Sequence, residues 1–283
     1  MDGFLDLVLD FSDYGALLPL VSNSLIAGAV LGVVGGLIGI FIMMRDMAFA
    51  VHGIAELSFA GASFALLVGA DVVTGSVIGS LLAALVLGVL GTRAKDRNSI
   101  TGVLMPFGLG LGILFLSLYE GRSANKFGLL TGQIVAVDDV QLTGMLLLSA
   151  GVVLALLAMW RPLTFASVDP VLARARGVRT AGLSIAFMVV LALAVAMAIQ
   201  VVGALLVLAL LITPSAAALR VSSNPLLTVL LSVAFALTSV LGGILLALGG
   251  SLPISPYVTT ISFVIYLVCR LLEKARSPRR HLV

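Results

Sequence analysis

Long apolar runs follow one another along almost the whole chain. Most are close to 20 residues, the length that an α-helix needs to cross the hydrocarbon core of a bilayer. Strands of an outer-membrane barrel would be about ten residues long and would alternate in hydrophobicity. With 61% hydrophobic and only 10% charged residues, the sequence predicts an all-α, polytopic membrane helical bundle. Nine apolar runs can be delimited to within a few residues: 17–44, 48–70, 72–91, 100–119, 142–160, 182–199, 201–219, 226–248 and 257–272.

The number of crossings depends on the region from residue 182 to residue 219. This region is too long for one helix, and Gln200 and Gly203 interrupt it. We interpret it as two helices joined by a tight turn, which gives about nine transmembrane helices. Eight is the alternative, because a partly re-entrant helix is tolerated where it is buried in protein. No internal repeat or low-complexity segment divides the chain, so a single transmembrane domain over 1–283 is expected.

Basic residues indicate the orientation in the membrane. With the N-terminus outside and nine crossings, all of the 16 Lys and Arg residues except Arg122 and Lys126 face the cytoplasm. Such a bias is typical of cytoplasmic loops, so the C-terminus is predicted to be cytoplasmic. The net charge of +3 is explained by these loops and does not indicate nucleic-acid binding.

The second apolar run contains His52 and Glu56, four residues apart and therefore on one face of a helix. Ionisable side chains inside a membrane segment are costly and usually functional. Imidazole and carboxylate are ligands for divalent cations such as zinc and manganese. The alternative is a structural pair that hydrogen-bonds internally and locks two helices together. Small residues on the same face, at Ala48, Ala60 and Ser63, would leave room for a cavity.

Residues 169–178, D-P-V-L-A-R-A-R-G-V, form a loop on the basic side. Asp169 is a plausible N-cap, Pro170 suits the first helical position, and Gly177 can end a helix that includes Ala173. The loop is therefore predicted to contain a short helix, either an ordinary connection or a docking site for a cytoplasmic partner.

Pro214 lies within the seventh apolar run, where its missing N–H should kink the helix. The kink is either static or, together with Gly203, a hinge beside a transport pathway.

The chain resembles the permease subunits of bacterial zinc/manganese ATP-binding-cassette importers, which are type II importers. Segment 45–61 is similar to the family pattern R-x-M-S-x-x-G-D-x-x-x-H-A-x-x-x-G, and 169–178 resembles the family's coupling helix. Segment 202–218 is close to V-G-x-L-L-V-x-A-L-L-I-x-P-A-A-x-A, and 252–256 resembles L-P-x-G-P. His52 and Glu56 stand where the family usually has Asp and His, so the ligand types are exchanged at the same spacing. Zinc permeases often have a further His where this chain has Pro106.

The resemblance implies a permease of the bacterial inner membrane, paired with a second copy of itself and surrounded by membrane lipid. Asp169, Pro170, Ala173 and Gly177 would dock a cytoplasmic ATPase dimer, and an extracytoplasmic binding protein would deliver the metal. No phosphate-binding loop is present, so ATP hydrolysis is expected on a separate subunit and the chain is not expected to be an enzyme. The metal at His52 and Glu56 would be cargo, with zinc favoured and manganese next. The alternative function is a secondary transporter of a metal or small solute, driven by an ion gradient.

Overall fold

The computed structural model describes residue 15 and residues 18–91, 94–121, 128–129, 137–204, 206–249 and 253–276. These residues are almost entirely helical and contain no strand, which confirms the all-α prediction. The α-helices are α1 Ser22–Met44, α2 Ala48–Leu67, α3 Val72–Leu90, α4 Ala94–Leu118, α5 Asp139–Val168, α6 Pro170–Ala175, α7 Thr180–Val202, α8 Val207–Leu211, α9 Thr213–Val221, α10 Pro225–Leu248 and α11 Ile254–Arg276.

Eight of the described helices are long and apolar enough to cross a membrane: α1 to α5, α7, α10 and α11. The polytopic architecture is therefore confirmed. The remaining predicted span, 201–219, is not one helix but the short helices α8 and α9, which are separated at Ile212. Pro214 has no N–H to bond the carbonyl of Leu210, so an uninterrupted helix would lose a hydrogen bond there. The predicted tight turn before this segment is present, and it ends α7 at Gly203 with φ +79°.

The chain forms two compact units. The central unit is Met44–Val207, and the terminal unit combines Met1–Met43 with Leu208–Val283. The single domain predicted for 1–283 stays a prediction, because packing within each unit does not test it.

Helices of the central unit run alternately in opposite directions. Asp71 caps α3, Asp138 caps α5, and both line a cavity of about 590 Å³ that also includes Gln200 near the end of α7. The starts of α3 and α5 and the end of α7 therefore lie at one end of this unit. This is the alternation expected of successive membrane crossings.

Helix α2 packs against α3 and α4 through close backbone contacts. A Cβ at Gly61 would lie 2.2 Å from the carbonyl oxygen of Gly75 in α3, and one at Gly79 would lie 2.2 Å from the carbonyl oxygen of Leu57. On the α4 side, a Cβ at Gly108 would lie 2.9 Å from the carbonyl carbon of Glu56. Small residues allow such close approach of helix backbones in a membrane protein.

In the terminal unit, α1 packs against α10 and against the break between α8 and α9. A Cβ at Gly36 would lie 2.5 Å from Val233 Cα, and one at Gly39 would lie 2.3 Å from the carbonyl oxygen of Leu211. Near the C-terminal ends of α9 and α11, Arg220 and Glu273 form an ion pair of 3.2 Å. These two helix ends therefore lie on the same side of the unit.

Candidate functional site

His52 and Glu56 lie on one face of α2, as their spacing predicts. The nearest ring nitrogen and carboxylate oxygen, His52 Nε2 and Glu56 Oε1, are 3.7 Å apart. This distance is too long for a hydrogen bond, although the two groups are close enough to bind one ion between them. The Glu56 side chain is 6% exposed and that of His52 is 27% exposed, so the imidazole forms the open edge of the pair.

Both side chains present buried polar atoms that have no hydrogen-bond partner. These atoms are His52 Nδ1 and Glu56 Oε2. Buried polar groups are normally hydrogen-bonded, and a buried carboxylate without a partner is costly. A structural pair that locks two helices together should hydrogen-bond across them, and among the described residues no such bond reaches either side chain. The pair therefore leaves one buried polar atom on each side chain that an ion could satisfy.

Ser63 adds a third polar atom to the same face, two turns further along α2. Its side chain is completely buried, and its Oγ has no hydrogen-bond partner in the part of the chain that the structure describes. From the sequence, Ser63 is interpreted only as a small residue that leaves space. Ser63 is seven residues after Glu56, a rise of about 10 Å along the helix. Its hydroxyl would therefore contact an ion at a different position from the one between His52 and Glu56.

One chain supplies a small ligand set. Among the described residues, no cluster of three or more His, Cys, Asp or Glu side chains could hold a metal ion. Pro106, which stands where zinc permeases often have a further His, is an exposed residue of α4. Two protein ligands bind a divalent cation weakly, which is suitable for an ion that must also leave.

The loop between α5 and α7 contains the short helix that its sequence predicts. Asp169 is the N-cap, and its carboxylate accepts hydrogen bonds from the backbone N–H groups of Val171 at 3.0 Å and Leu172 at 2.8 Å. Pro170 is the first helical residue. At the other end, Gly177 has φ +83°, a left-handed conformation that favours glycine. The predicted start and end of α6 are confirmed.

The exposed surface of α6 includes residues that the sequence did not emphasise, whereas Ala173, which it did, is buried. The Ala173 side chain is completely buried, so its methyl group packs inside the chain. A larger residue at Gly177 would be strained by the backbone conformation. Val171 is 68% exposed and Leu172 is 46% exposed, so these two side chains are the large apolar groups that α6 leaves accessible.

Gly203 and Pro214, the proposed hinge residues, lie at two separate backbone breaks. Gly203 terminates α7, and its N–H donates to the Ile199 carbonyl at 2.8 Å. Pro214 is buried in the first turn of α9. No motion is visible at either residue, so the hinge stays a prediction.

Comparison with known proteins identifies the family. The profile of the ABC 3 transport family matches residues 18–273. The chain belongs to this family. Its members are transport proteins, and the resemblance to zinc/manganese importer permeases is confirmed.

Individual relatives agree with this assignment. The manganese transport system membrane protein MntC of Halalkalibacterium halodurans is 30% identical over 226 residues, 79% of this chain and 77% of that protein. The manganese import system permease protein ScaB of Streptococcus parasanguinis is 28% identical over 279 residues, 97% of this chain and 98% of that protein. The solved structure of PsaBC from Streptococcus pneumoniae in complex with Fab has a TM-score of 0.80 at 25% identity, over 91% of this chain and 95% of that one.

A second solved structure supports the fold. It is an inward-facing putative metal-chelate type ABC transporter, with a TM-score of 0.71 at 19% identity, which covers 95% of this chain and 94% of that one. The described helices therefore follow the architecture of ABC importer permeases.

Proposed function

We propose that this chain is the permease subunit of an ABC importer that carries a divalent metal ion, with manganese ahead of zinc, into the cytoplasm. The observation that carries the proposal is the His52–Glu56 pair on α2, with one buried unsatisfied atom on each side chain, in a chain that belongs to the ABC 3 transport family. Ionisable groups are costly in a transmembrane helix and commonly mark an ion pathway.

Manganese replaces zinc as the favoured cargo for two reasons. The relatives MntC and ScaB are both named for manganese, whereas the preference for zinc rested on the imidazole alone. Manganese also prefers oxygen ligands, and Glu56 supplies a carboxylate.

Two copies of the chain would complete the site. One copy provides one imidazole and one carboxylate, so a pair of subunits provides four ligands around a pathway between them. Because the His52 side chain is the more exposed of the two, it would meet the partner first. Multi-site but weak coordination allows an ion to enter and to leave.

ATP hydrolysis would occur on a separate cytoplasmic ATPase dimer that binds α6, and an extracytoplasmic metal-binding protein would deliver the ion. Docking through Val171 and Leu172 is supported by their exposure on a helix that is too short to cross the membrane. Replacing Val171 with Glu should therefore reduce copurification of the ATPase, while Ala275→Glu, an exposed position in α11, should not. Normal ATPase binding by the Val171 variant would exclude this face as the docking site.

We place the protein in the bacterial inner membrane with the N-terminus outside and the C-terminus cytoplasmic. The charge bias supports this orientation, and the Arg220–Glu273 pair supports a common side for the ends of α9 and α11. A reporter after Val283 should behave as cytoplasmic and a tag before Phe4 as external. Finding both termini on one side would contradict an odd number of crossings.

The deciding experiment is metal accumulation by cells or proteoliposomes that contain the permease with its ATPase. Glu56→Gln keeps the shape of the side chain but removes its charge, so manganese uptake per folded complex should fall about tenfold or more. His52→Ala should have a similar effect. Asp71→Asn is the matched control, since it removes a carboxylate at the N-cap of α3 and leaves the α2 face intact.

Near-normal uptake in the Glu56→Gln variant would exclude the α2 face as the ion site. Uptake that proceeds without the ATPase, but requires an ion gradient, would instead identify a secondary transporter. Accumulation of zinc in preference to manganese would restore the cargo first expected from the sequence.

A further inference from the structure

A second set of buried polar atoms without partners lies at the opposite end of α2 from Ser63. Arg45, in the turn that connects α1 to α2, is half-buried, and its Nε atom has no hydrogen-bond partner. No carboxylate among the described residues forms an ion pair with it. Burial, and then the positive charge of Arg97, hold the pKa of the Arg45 guanidinium below its ordinary value. Burying a cation without a carboxylate partner costs free energy, which indicates that its remaining contacts have a functional role.

The guanidinium of Arg45 connects the two helices that flank α6. Its Nη1 donates to Ser167 Oγ at 3.4 Å, and its Nη2 donates to Ser184 Oγ. Ser167 is two residues before Asp169, the N-cap of α6, and Ser184 is in the second turn of α7. The guanidinium also lies over the ring of Phe187 in α7, with Cζ 5.6 Å from the ring centroid. One side chain therefore spans both arms of the loop that presents α6.

The backbone of Arg45 is fixed to the start of α2. Arg97 Nη2 in α4 donates to the carbonyl oxygens of Arg45 at 3.2 Å and of Asp46 at 3.0 Å. Asp46 has φ +51°, a left-handed conformation that is uncommon for a residue with a side chain, and the N-cap residue Met47 provides no side-chain cap. The guanidinium of Arg97 thus maintains a turn that the local sequence would not favour.

We propose that Arg45 is a positioning residue that transmits displacement of the α6 loop to the ion-binding face of α2. Arg45 lies three residues before the start of α2 at Ala48, and His52 is about 6 Å along the helix axis from that start. When the ends of α5 and α7 move together, the two serine hydroxyls pull on the guanidinium and shift the start of α2. The inference rests on the proposed function, since it assumes that a partner acts on α6 and that His52 and Glu56 bind the ion.

The geometry of the guanidinium explains why arginine is required. Its planar fork has several N–H groups at fixed angles, so it can bond two acceptors on different helices at once. A lysine ammonium keeps the charge but acts as a single point. We therefore expect graded effects, with Arg45→Gln the most severe and Arg45→Lys intermediate.

The test measures manganese ions taken up per ATP hydrolysed by the complete complex, with its ATPase, in proteoliposomes. Arg45→Gln should leave ATP hydrolysis within about twofold of wild type but reduce ions per ATP about tenfold. The double variant Ser167→Ala/Ser184→Ala keeps the arginine and removes both acceptors, so it should uncouple in the same way even if Arg45→Gln fails to fold. Arg161→Gln is the matched control, because it removes an exposed arginine of α5. It should change neither ATP hydrolysis nor the number of ions taken up per ATP.

An unchanged number of ions per ATP in both the Arg45→Gln and the double-serine variants would overturn the proposal. Hydrolysis and uptake that fall in parallel with the amount of folded complex would also overturn it, because Arg45 would then only stabilise the fold. Failure of the proposed function is distinguishable: in that case wild type takes up no metal, or Glu56→Gln takes up as much as wild type.

Discussion

Buried polar side chains are hydrogen-bonded at the α8–α9 break but lack partners on the face of α2 that we propose binds an ion. At the break, Ser262 Oγ donates to the Ala209 carbonyl at 3.1 Å, and Ser215 Oγ donates to the Ile212 carbonyl at 2.8 Å. On α2, the equally buried Ser63 hydroxyl has no partner. Every buried side-chain N or O atom without a partner, among the residues that the structure describes, belongs to the central unit.

The polar groups at the break stabilise the fold, whereas we propose that those on α2 bind an ion. A helix break deprives the backbone of hydrogen bonds, and the Ser262 hydroxyl supplies one to the Ala209 carbonyl, so the segment can be stable inside a membrane protein. The face of α2 retains unsatisfied groups although its neighbours pack tightly against it. Unsatisfied groups lower stability, and they are kept where a ligand can satisfy them.

The largest effect on stability is expected at the α8–α9 break, where the buried hydroxyls are hydrogen-bonded. Gly39→Val would place atoms within 2.3 Å of the Leu211 carbonyl oxygen, so we expect a loss of about 3 kcal/mol or more of stability. The amount of folded permease after detergent extraction should fall sharply, while uptake per folded molecule stays near wild type. Gly151→Val in α5 is the control, because a Cβ there meets nothing within 4 Å. Normal folding of the Gly39 variant would refute the close packing described for the break.

The opposite result is expected at Glu56. In metal-free protein, Glu56→Gln should raise the unfolding temperature, because it removes a buried charge whose desolvation costs about 1 kcal/mol or more. Manganese should raise the unfolding temperature of wild type and not that of the variant, since only wild type binds the ion. A lower unfolding temperature of the variant, measured with a chelator present, would show that the carboxylate is structural.

The smallest effect is expected at Ser63, and Ser58 provides a matched control on the same helix. Ser58 is also fully buried, but its Oγ donates to the Ser76 carbonyl at 2.9 Å. Ser63→Ala should slightly raise stability and reduce uptake about two- to fivefold, whereas Ser58→Ala should lower stability and leave uptake per folded molecule unchanged. Equal behaviour of the two variants would remove Ser63 from the ion path.

Most of the fold could be predicted from the sequence because membrane helices are specified by length and hydrophobicity. The segment 201–219 is the exception: its composition predicts a span, but Pro214 leaves only two short helices. Hydrophobicity is averaged over a whole segment, so it does not reveal that one missing backbone N–H divides the segment into two helices.

Part of the candidate site could be predicted in the same way. The spacing of His52 and Glu56 places them on one face, and the caps of α6 follow from Asp169, Pro170 and Gly177. The roles of Arg45 and Ser63 depend on what surrounds them in three dimensions, which the one-dimensional pattern does not contain. Arg45 meets residues 122 and 139 positions away, and Ser63 is distinctive only because no partner reaches it.

The backbone contact between α2 and α3 limits how alternating access can occur. With carbonyl oxygens seated against glycines in both directions, α2 has no freedom to rotate or to slide against α3 without a steric collision. The two helices must therefore move as one rigid body. Opening and closing of the proposed ion site must then be produced by a displacement of this pair relative to other helices. The flexibility that transport requires would lie outside the α2–α3 hairpin, which carries the proposed ligands.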